Sequence, residues 1–273
     1  MPELPEVETL RRSLVPRLIG RRLASVDVLS PALREPLDRR ALDDLAGRRV
    51  ETLRRRSKYL LVDLEAARTL VVHLGMSGRF TIVANDHPRD RHEHVVFGLD
   101  GGERLRYVDP RRFGQVFALD TQGIAADRHF VHLGIEPFDE GFDGRHLSRA
   151  AVGRRGPVKT FLMDAGVVVG VGNIYASETL WRARVHPRRS VARVSAATWQ
   201  RLADAVRTTL GRAIDEGGTT LSDFRDGDGN SGYFQVSLEV YGRAGEPCRR
   251  CQRGIRRIVQ SNRASYYCPG CQR

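Results

Sequence analysis

Two groups of residues have the types and the spacing to do chemistry. The first opens the chain, Met1-Pro2-Glu3-Leu4-Pro5-Glu6. Removal of Met1, usual before a small second residue, would leave Pro2 with a free secondary amine. An α-amino group titrates at about 7.7–8.0, so part of it is nucleophilic near neutrality, a state that a lysine reaches only by desolvation. Condensed with an aldehyde, a secondary amine gives an iminium ion that is cationic at any pH and therefore an electron sink. Glu3, one residue on, is a carboxyl placed to move protons. The same residues also read as an ordinary loop start. The second group is Cys248-x2-Cys251-x16-Cys268-x2-Cys271, which holds all the cysteines of the chain. Two CxxC pairs suit one tetrahedral Zn²⁺ in a closed, structural shell, with a redox or disulfide role as the alternative.

Other patterns are weaker. Gly170-Val171-Gly172-Asn173 precedes a helical pattern, where backbone amides can meet a phosphate. No Gly-Lys-Ser/Thr follows, and a packing turn explains the same glycines. His92-Glu93-His94 lacks the HExxH spacing and reads as surface groups alternating along a strand. Asp226, Asp228 and Asn230 begin like a calcium loop, but Ser237 stands where its last ligand should be Glu. Lys58 sits at a turn between two strands. The stretches His73-Leu74-Gly75-Met76-Ser77-Gly78 and Asp109-Pro110-Arg111-Arg112-Phe113-Gly114 put basic, aromatic and methionine side chains in turns. An exposed Met or Phe there could wedge into a base stack, and core positions are the alternative for both.

The elements that must position these residues follow from periodicity. The chain of 273 residues is long enough for one large or two ordinary domains. Its net charge of +12 points to a polyanionic partner. Of the 45 basic residues only Lys58 and Lys159 are lysines, so each is a candidate for needing an amine. From Pro5 to about Ile19, Val7, Leu10, Leu14 and Leu18 form one apolar face of a helix; Gly20 is a stop, and Pro16 should kink or shorten it. Such a helix would hold Pro2 and Glu3 at its positive end, which disfavours a protonated amine. From about Leu23 to Leu119 the chain reads as short β-branched strands with a small helix over Leu37 to Ala46, the pattern of a sandwich or barrel. PFDEGFDG, residues 137–144, reads as a linker. Helical segments follow, the last carrying Trp199, Leu202, Val206, Leu210 and Ile214 behind Ser195 as a cap. The acidic start argues against a signal peptide and no run has the length of a membrane span, so the expected location is the cytoplasm.

Read in order, the motifs resemble the formamidopyrimidine-DNA glycosylase family along the whole chain. They are MPELPEVET at Met1, RRSKYLL around Lys58, HLGMSGR at His73, DPRRFG at Asp109 and PVKTFLMD around Lys159. VVGVGNIYASE around Asn173, GGTTLSDF at Gly217, VYGRAGEPC at Val240 and NRASYYCPGCQ in the cysteine-rich tail complete the series.

The resemblance implies an α+β multidomain fold. Residues 1–135 would form a β-sandwich with the N-terminal helix, 136–239 a helical helix–two-turn–helix domain, and 240–273 a zinc finger hairpin. It implies a bacterial, monomeric base-excision repair enzyme whose partner is damaged double-stranded DNA held between the halves, with one structural Zn²⁺ on Cys248, Cys251, Cys268 and Cys271, no nucleotide cofactor and no membrane. Pro2 would be the nucleophile and Glu3 the proton-transfer group, with Lys58 and Arg263 supporting catalysis. His73, Lys159, Asn173 and Arg263 would bind DNA. Met76, Arg111 and Phe113 would fill the gap left by an extruded nucleotide. Glu6, Thr219, Thr220 and Tyr233 would recognise the lesion. Two other readings remain: an endonuclease VIII-type glycosylase for oxidised pyrimidines, and a non-catalytic zinc-ribbon DNA-binding protein that would need neither the amine nor Glu3.

Overall fold

The computed structural model describes residues 2–218 and 238–273. These fall into two compact units, residues 2–131 with 216–218, and residues 132–215 with 238–273.

The first unit begins with helix α1 (Leu4–Leu18), which buries Val7, Leu10, Leu14 and Leu18 at the expected spacing. Pro16 lies inside the helix and does not end it. It stands in the last turn, where its missing N–H removes one hydrogen bond and little helix remains to be distorted. Gly20 follows with φ of +83°, and its N–H donates to Val50 O at 2.9 Å. Strands β1 (Leu23–Val28), β6 (Glu93–Leu99), β7 (Glu103–Val108) and β5 (Arg79–Ala84) form one antiparallel sheet in that order. Strands β2 (Val50–Arg56), β3 (Tyr59–Leu64), β4 (Arg68–His73) and β8 (Gln115–Asp120) form the other. A short helix α2 (Arg39–Asp43) lies within the expected stretch, capped by Asp38, which accepts from Ala41 N–H. A single apolar cluster takes Val7, Leu10, Leu14 and Leu18 from α1, Val95, Phe97 and Leu105 from one sheet, and Leu60, Leu70 and Val116 from the other. The two sheets and α1 therefore share one core, the sandwich that the strand pattern predicts.

His92-Glu93-His94 departs from expectation. Glu93 and His94 are buried, at 3% and 2% exposure, and are not surface groups. Strand β6 runs between β1 and β7, and Arg104 and Arg106 on β7 bond to the backbone of His87 and Pro88, drawing that loop onto the sheet. Alternation along a central strand therefore does not place one face in water.

The second unit holds α3 (Gly144–Ala150), α4 (Val158–Leu162), α5 (Asn173–Arg182) and α6 (Ala196–Asp215). Ser195 Oγ accepts from Thr198 N–H, as a cap should, and Trp199, Leu202, Val206, Leu210 and Ile214 are buried. Residues 137–144 are not a loose linker. Phe142 is fully buried, Arg207 of α6 donates to Pro137 O and Asp139 O, and its guanidinium lies 5.7 Å from the Phe142 ring. The two glycines and three acids of that stretch suggest a linker, whereas Phe142 carries the packing and Phe138 stays exposed. The chain closes on the hairpin β9 (Arg256–Gln260) and β10 (Arg263–Tyr267), joined by Ser261 and Asn262, both at positive φ as a two-residue hairpin turn requires. Among the described residues no helix is long and apolar enough to cross a membrane.

Truncating α1 at Leu10, which is fully buried, tests this account of the core. Leu10→Ala is expected to cost about 2–5 kcal/mol. A urea midpoint that falls at unchanged m-value would show it; an unchanged midpoint would detach α1 from the sandwich core.

Candidate active site and metal centre

The first turn of α1 is built to hold Pro2 and Glu3. Pro2 and Glu3 are buried, and the Glu3 N–H donates to Glu6 Oε2 at 2.7 Å. Glu6 thus satisfies one of the donors that a helix start leaves open. Glu6 also lies beside Gly218, whose φ is +78°, so that a Cβ there would come within 3.3 Å of Glu6 Cγ and Oε1. Thr219, Thr220 and Tyr233 lie outside the described residues. One turn further on, Glu8 accepts from Arg11 and Arg12 and faces Arg55 at 3.5 Å. Burial raises its carboxyl, but these guanidinia outweigh burial and hold it below the usual carboxylate range.

Strand register gathers the next residues. Lys58 occupies the turn between β2 and β3, where Ser57 takes φ of +56°. Tyr59 pairs with His73 across β3 and β4, and His73 pairs with Gln115 across β4 and β8, so Lys58 and His73 come to one end of one sheet. The His73 imidazole is pushed down to about 3 by burial, with Lys58, Arg34 and His129 adding to the effect. It is therefore neutral. Its Nδ1 accepts from Gly75 N–H at 3.1 Å, which leaves the proton on Nε2 and makes His73 an uncharged donor beside a cation.

The two turns with Met76 and Phe113 meet behind these side chains. A Cβ on Gly75 would come within 2.4 Å of Gly114 N and Phe113 C, so only glycine permits that approach. Phe113 is 45% exposed, and the Arg111 guanidinium lies 4.9 Å from its ring centroid. A large exposed aromatic stacked with a cation on a tight turn suits nucleic-acid contact, and the core alternative for Phe113 is set aside. Met76 is partly buried.

In the second unit Lys159 on α4 is 1% exposed. Its Nζ donates to Asn173 Oδ1 at 2.6 Å, Ser265 Oγ at 2.7 Å and Ala264 O at 3.1 Å. Asn173, the first residue of α5, donates from Nδ2 to Ala264 O and Tyr241 Oη. Lys159 thus ties the start of α5 to the hairpin strand that begins at the exposed Arg263. The sequence marks Lys159 as unusual but not as buried. It gives no sign of Glu178 either, whose buried carboxylate accepts from the N–H groups of Glu239, Val240 and Tyr241 and so sets the chain's path into the hairpin. Burial raises that carboxyl, against the downward pull of the three donors.

The four cysteine sulfurs all lie within 4.8 Å of one another, the approximate spacing of a tetrahedral four-sulfur shell. Trp181 Nε1 donates to Cys248 Sγ at 3.4 Å, as an outer-shell donor to a metal thiolate would. Trp181, Val240, Cys248, Ile255 and Cys268 form one small core. Gln272 fastens the end of the tail, donating to Val185 O and accepting from Cys268 N–H. The donor set and its spacing fit a Zn²⁺ ion.

With this geometry in view, the chain matches three family models: the formamidopyrimidine-DNA glycosylase N-terminal domain over residues 1–116, its H2TH domain over 133–225, and the zinc finger found in FPG and IleRS over 245–273. It is 49% identical to the formamidopyrimidine-DNA glycosylase of Ruegeria pomeroyi, with the whole of both chains covered. The chain belongs to the formamidopyrimidine-DNA glycosylase family. The Stenotrophomonas maltophilia member is likewise 49% identical over the whole of both chains. Among solved structures, a Lactococcus lactis FPG in complex with Fapy-dG-containing DNA is 31% identical at a TM-score of 0.91, covering 99% of this chain and 100% of that one. The Thermus thermophilus FPG is 38% identical at a TM-score of 0.89, covering 99% and 98%.

The family fold is an N-terminal sandwich with its first helix, a helix–two-turn–helix domain and a zinc finger hairpin, and this chain has it. It holds one structural zinc on Cys248, Cys251, Cys268 and Cys271.

Two outcomes follow for solution work. Because the native state keeps His73 neutral while the unfolded chain protonates it, its contribution to stability is complete above about 6.5 and is lost as pH falls toward about 3. The stability gap between wild type and His73→Gln should shift in the variant's favour across that interval; a pH-independent gap would contradict it. Removing zinc with a chelator should change the emission of Trp181 and leave that of Trp199 largely unmoved, with Trp181→Phe abolishing the change.

Proposed function

We propose that this protein is a bifunctional DNA glycosylase and AP lyase of base-excision repair that removes oxidised purines from duplex DNA. The observation that carries the reading is the buried Pro2-Glu3 pair held by Glu6 at the start of α1. A zinc-ribbon binder would have no use for it.

Once Met1 is gone, the Pro2 nitrogen attacks C1′ of the damaged nucleotide; the bond from C1′ to the base breaks, and the base leaves with the electron pair and takes up a proton in exchange for the one the amine sheds. Glu3 gives a proton to the ring oxygen and the sugar opens as a cationic iminium. The positive end of α1 disfavours the protonated form of the amine before attack. The iminium draws electrons from C2′, whose proton leaves to a base, and the 3′ phosphate departs by β-elimination. A second proton loss releases the 5′ phosphate by δ-elimination. Water then hydrolyses the iminium and restores the amine. The zinc supplies structure to the hairpin and takes no part in these steps.

Reaching C1′ requires the nucleotide to leave the stack, at a cost of a few kcal/mol. Met76, Arg111 and Phe113 offset that cost by filling the gap. Lys58, His73, Asn173 and Arg263 hold the phosphates, with Lys159 setting the position of Asn173 and the hairpin. Glu6, Thr219, Thr220 and Tyr233 are the residues assigned to recognising the extruded base. The work divides among residues 1–135 for chemistry and gap filling, 136–239 for DNA and lesion binding, and 240–273 for the finger. A monomer acting on bacterial DNA in the cytoplasm completes the reading; its substrate is supported by the Fapy-dG-containing DNA of the Lactococcus lactis complex.

Borohydride reduction tests it. Intact protein on duplex DNA carrying 8-oxoguanine should be trapped as a covalent adduct, and Pro2→Gly, which replaces the secondary amine and its permanently cationic iminium by a primary amine and a neutral imine, should largely abolish trapping. No adduct with the intact protein sinks the enzyme reading. A stronger signal on thymine glycol duplex would point to the oxidised-pyrimidine type.

A further inference from the structure

Behind Arg111 and Phe113 lies a buried set of hydrogen bonds that the chemistry above does not use. Asp109 is fully buried. Its Oδ1 accepts from Ser77 Oγ at 2.6 Å and from the Arg111 N–H at 3.2 Å, and its Oδ2 accepts from the Gly114 N–H at 2.9 Å. One carboxylate thus joins the turn of Met76 to the turn of Arg111 and Phe113, and the close approach of Gly75 to Gly114 welds the same seam.

The backbone of Asp109 is held as well. Its carbonyl receives the Arg112 N–H at 3.2 Å and His94 Nε2 at 2.9 Å. A carbonyl only accepts, so His94 carries its proton on Nε2, and its Nδ1 accepts from Ser30 Oγ at 2.8 Å. Ser30, His94 and Asp109 have the residue types of a hydrolase triad. The imidazole meets the peptide oxygen of Asp109 and not its carboxylate, and all three residues are buried, so the set positions and does not attack.

We propose that His94 is a positioning residue for opposite-base reading: through the Asp109 carbonyl it sets where Arg111 and Phe113 stand, and so how strictly the protein discriminates the base facing the lesion. This rests on the reading that these side chains enter the gap. Arg111, Arg112 and Phe113 are exposed, and Arg112 takes φ of +54°, so the turn has little packing of its own. Discrimination between bases depends on the placement of a donor against a base edge. The His94 donor on the buried strand β6 joins the Asp109 N–H, which donates to His92 O at 3.0 Å, in carrying the rigidity of the sheet to that turn, and Ser30 holds the ring in place by donating to its Nδ1.

The test compares wild type, His94→Gln, His94→Leu and Ser30→Ala on 8-oxoguanine duplexes with cytosine or adenine opposite, and on an abasic duplex trapped with borohydride. The glutamine side chain can place an N–H near the position of Nε2; leucine cannot. For His94→Leu the ratio of kcat/KM between the two opposite bases should fall about fivefold, the worth of one buried hydrogen bond. His94→Gln should hold the ratio within about twofold of wild type, since it retains that bond. Ser30→Ala should shift it in the same direction as leucine by less. Abasic-site trapping, which needs Pro2 and Glu3, should stay at the wild-type level in all variants. Equal losses on every substrate with an unchanged ratio would make His94 merely structural and overturn the proposal. Should His94→Leu fail to fold, an unchanged ratio in Ser30→Ala overturns it equally. If wild type acts on neither duplex, the functional reading itself fails, and this proposal with it.

Discussion

Helix α1 buries Val7, Leu10, Leu14 and Leu18 in the same apolar cluster as the inner faces of both sheets, so moving Pro2 and Glu3 disturbs the core that the sheets share. Interior packing is close to that of a crystal and transmits small displacements. A reactive group on the first residues of a chain would ordinarily fray. Here the helix behind it is anchored along its length, and Glu6 closes its first turn on the Glu3 N–H. The placement of Pro2 and Glu3 is thus fixed by hydrophobic burial some distance away.

The same economy governs the charge. A net charge of +12 draws a polyanion from any direction but positions nothing. Position comes from register, turns and buried bonds. Pairing of β3 with β4 sets Lys58 beside His73. The Asp109 carboxylate locks the turns of Met76 and Phe113 together. The Lys159 ammonium joins Asn173 to the hairpin that starts at Arg263. In each case a buried polar group is worth its desolvation only because its hydrogen bonds are made, and making them imposes one geometry.

The metal centre repeats the pattern on a smaller scale. The cysteine-rich tail carries eight arginines and little apolar surface, too little to fold by burial alone. Zinc supplies the missing constraint, and Trp181 of α5 connects it to the helices by packing against Cys248 and Cys268 and by donating to the Cys248 sulfur. The hairpin that presents Arg263 therefore inherits the rigidity of α5.

Much of this protein is set locally and can be read from its residues. Helix α1, the run of short strands, the four-cysteine spacing and the amphipathic α6 all arise from periodicities of 3.6 or 2 and from ligand chemistry, and these survive in a one-dimensional string. Residues whose role depends on long-range neighbours do not. Glu93 and His94 alternate like surface groups and are buried, because their strand lies mid-sheet and a loop covers it. The stretch 137–144 has a linker's composition, and its phenylalanine fills a core. Lys159 has a surface residue's chemistry and the burial of a leucine. Asp109 and Glu178 are ordinary acids until the fold brings the Ser77 hydroxyl to the first from 32 residues away and backbone donors to the second from 61–63 residues away. The sequence by itself determined which groups could react, bind metal or meet a phosphate, since those are properties of residue types. The tertiary structure alone decided which polar groups lose their water and what replaces it, because that depends on neighbours the chain brings together only when it folds.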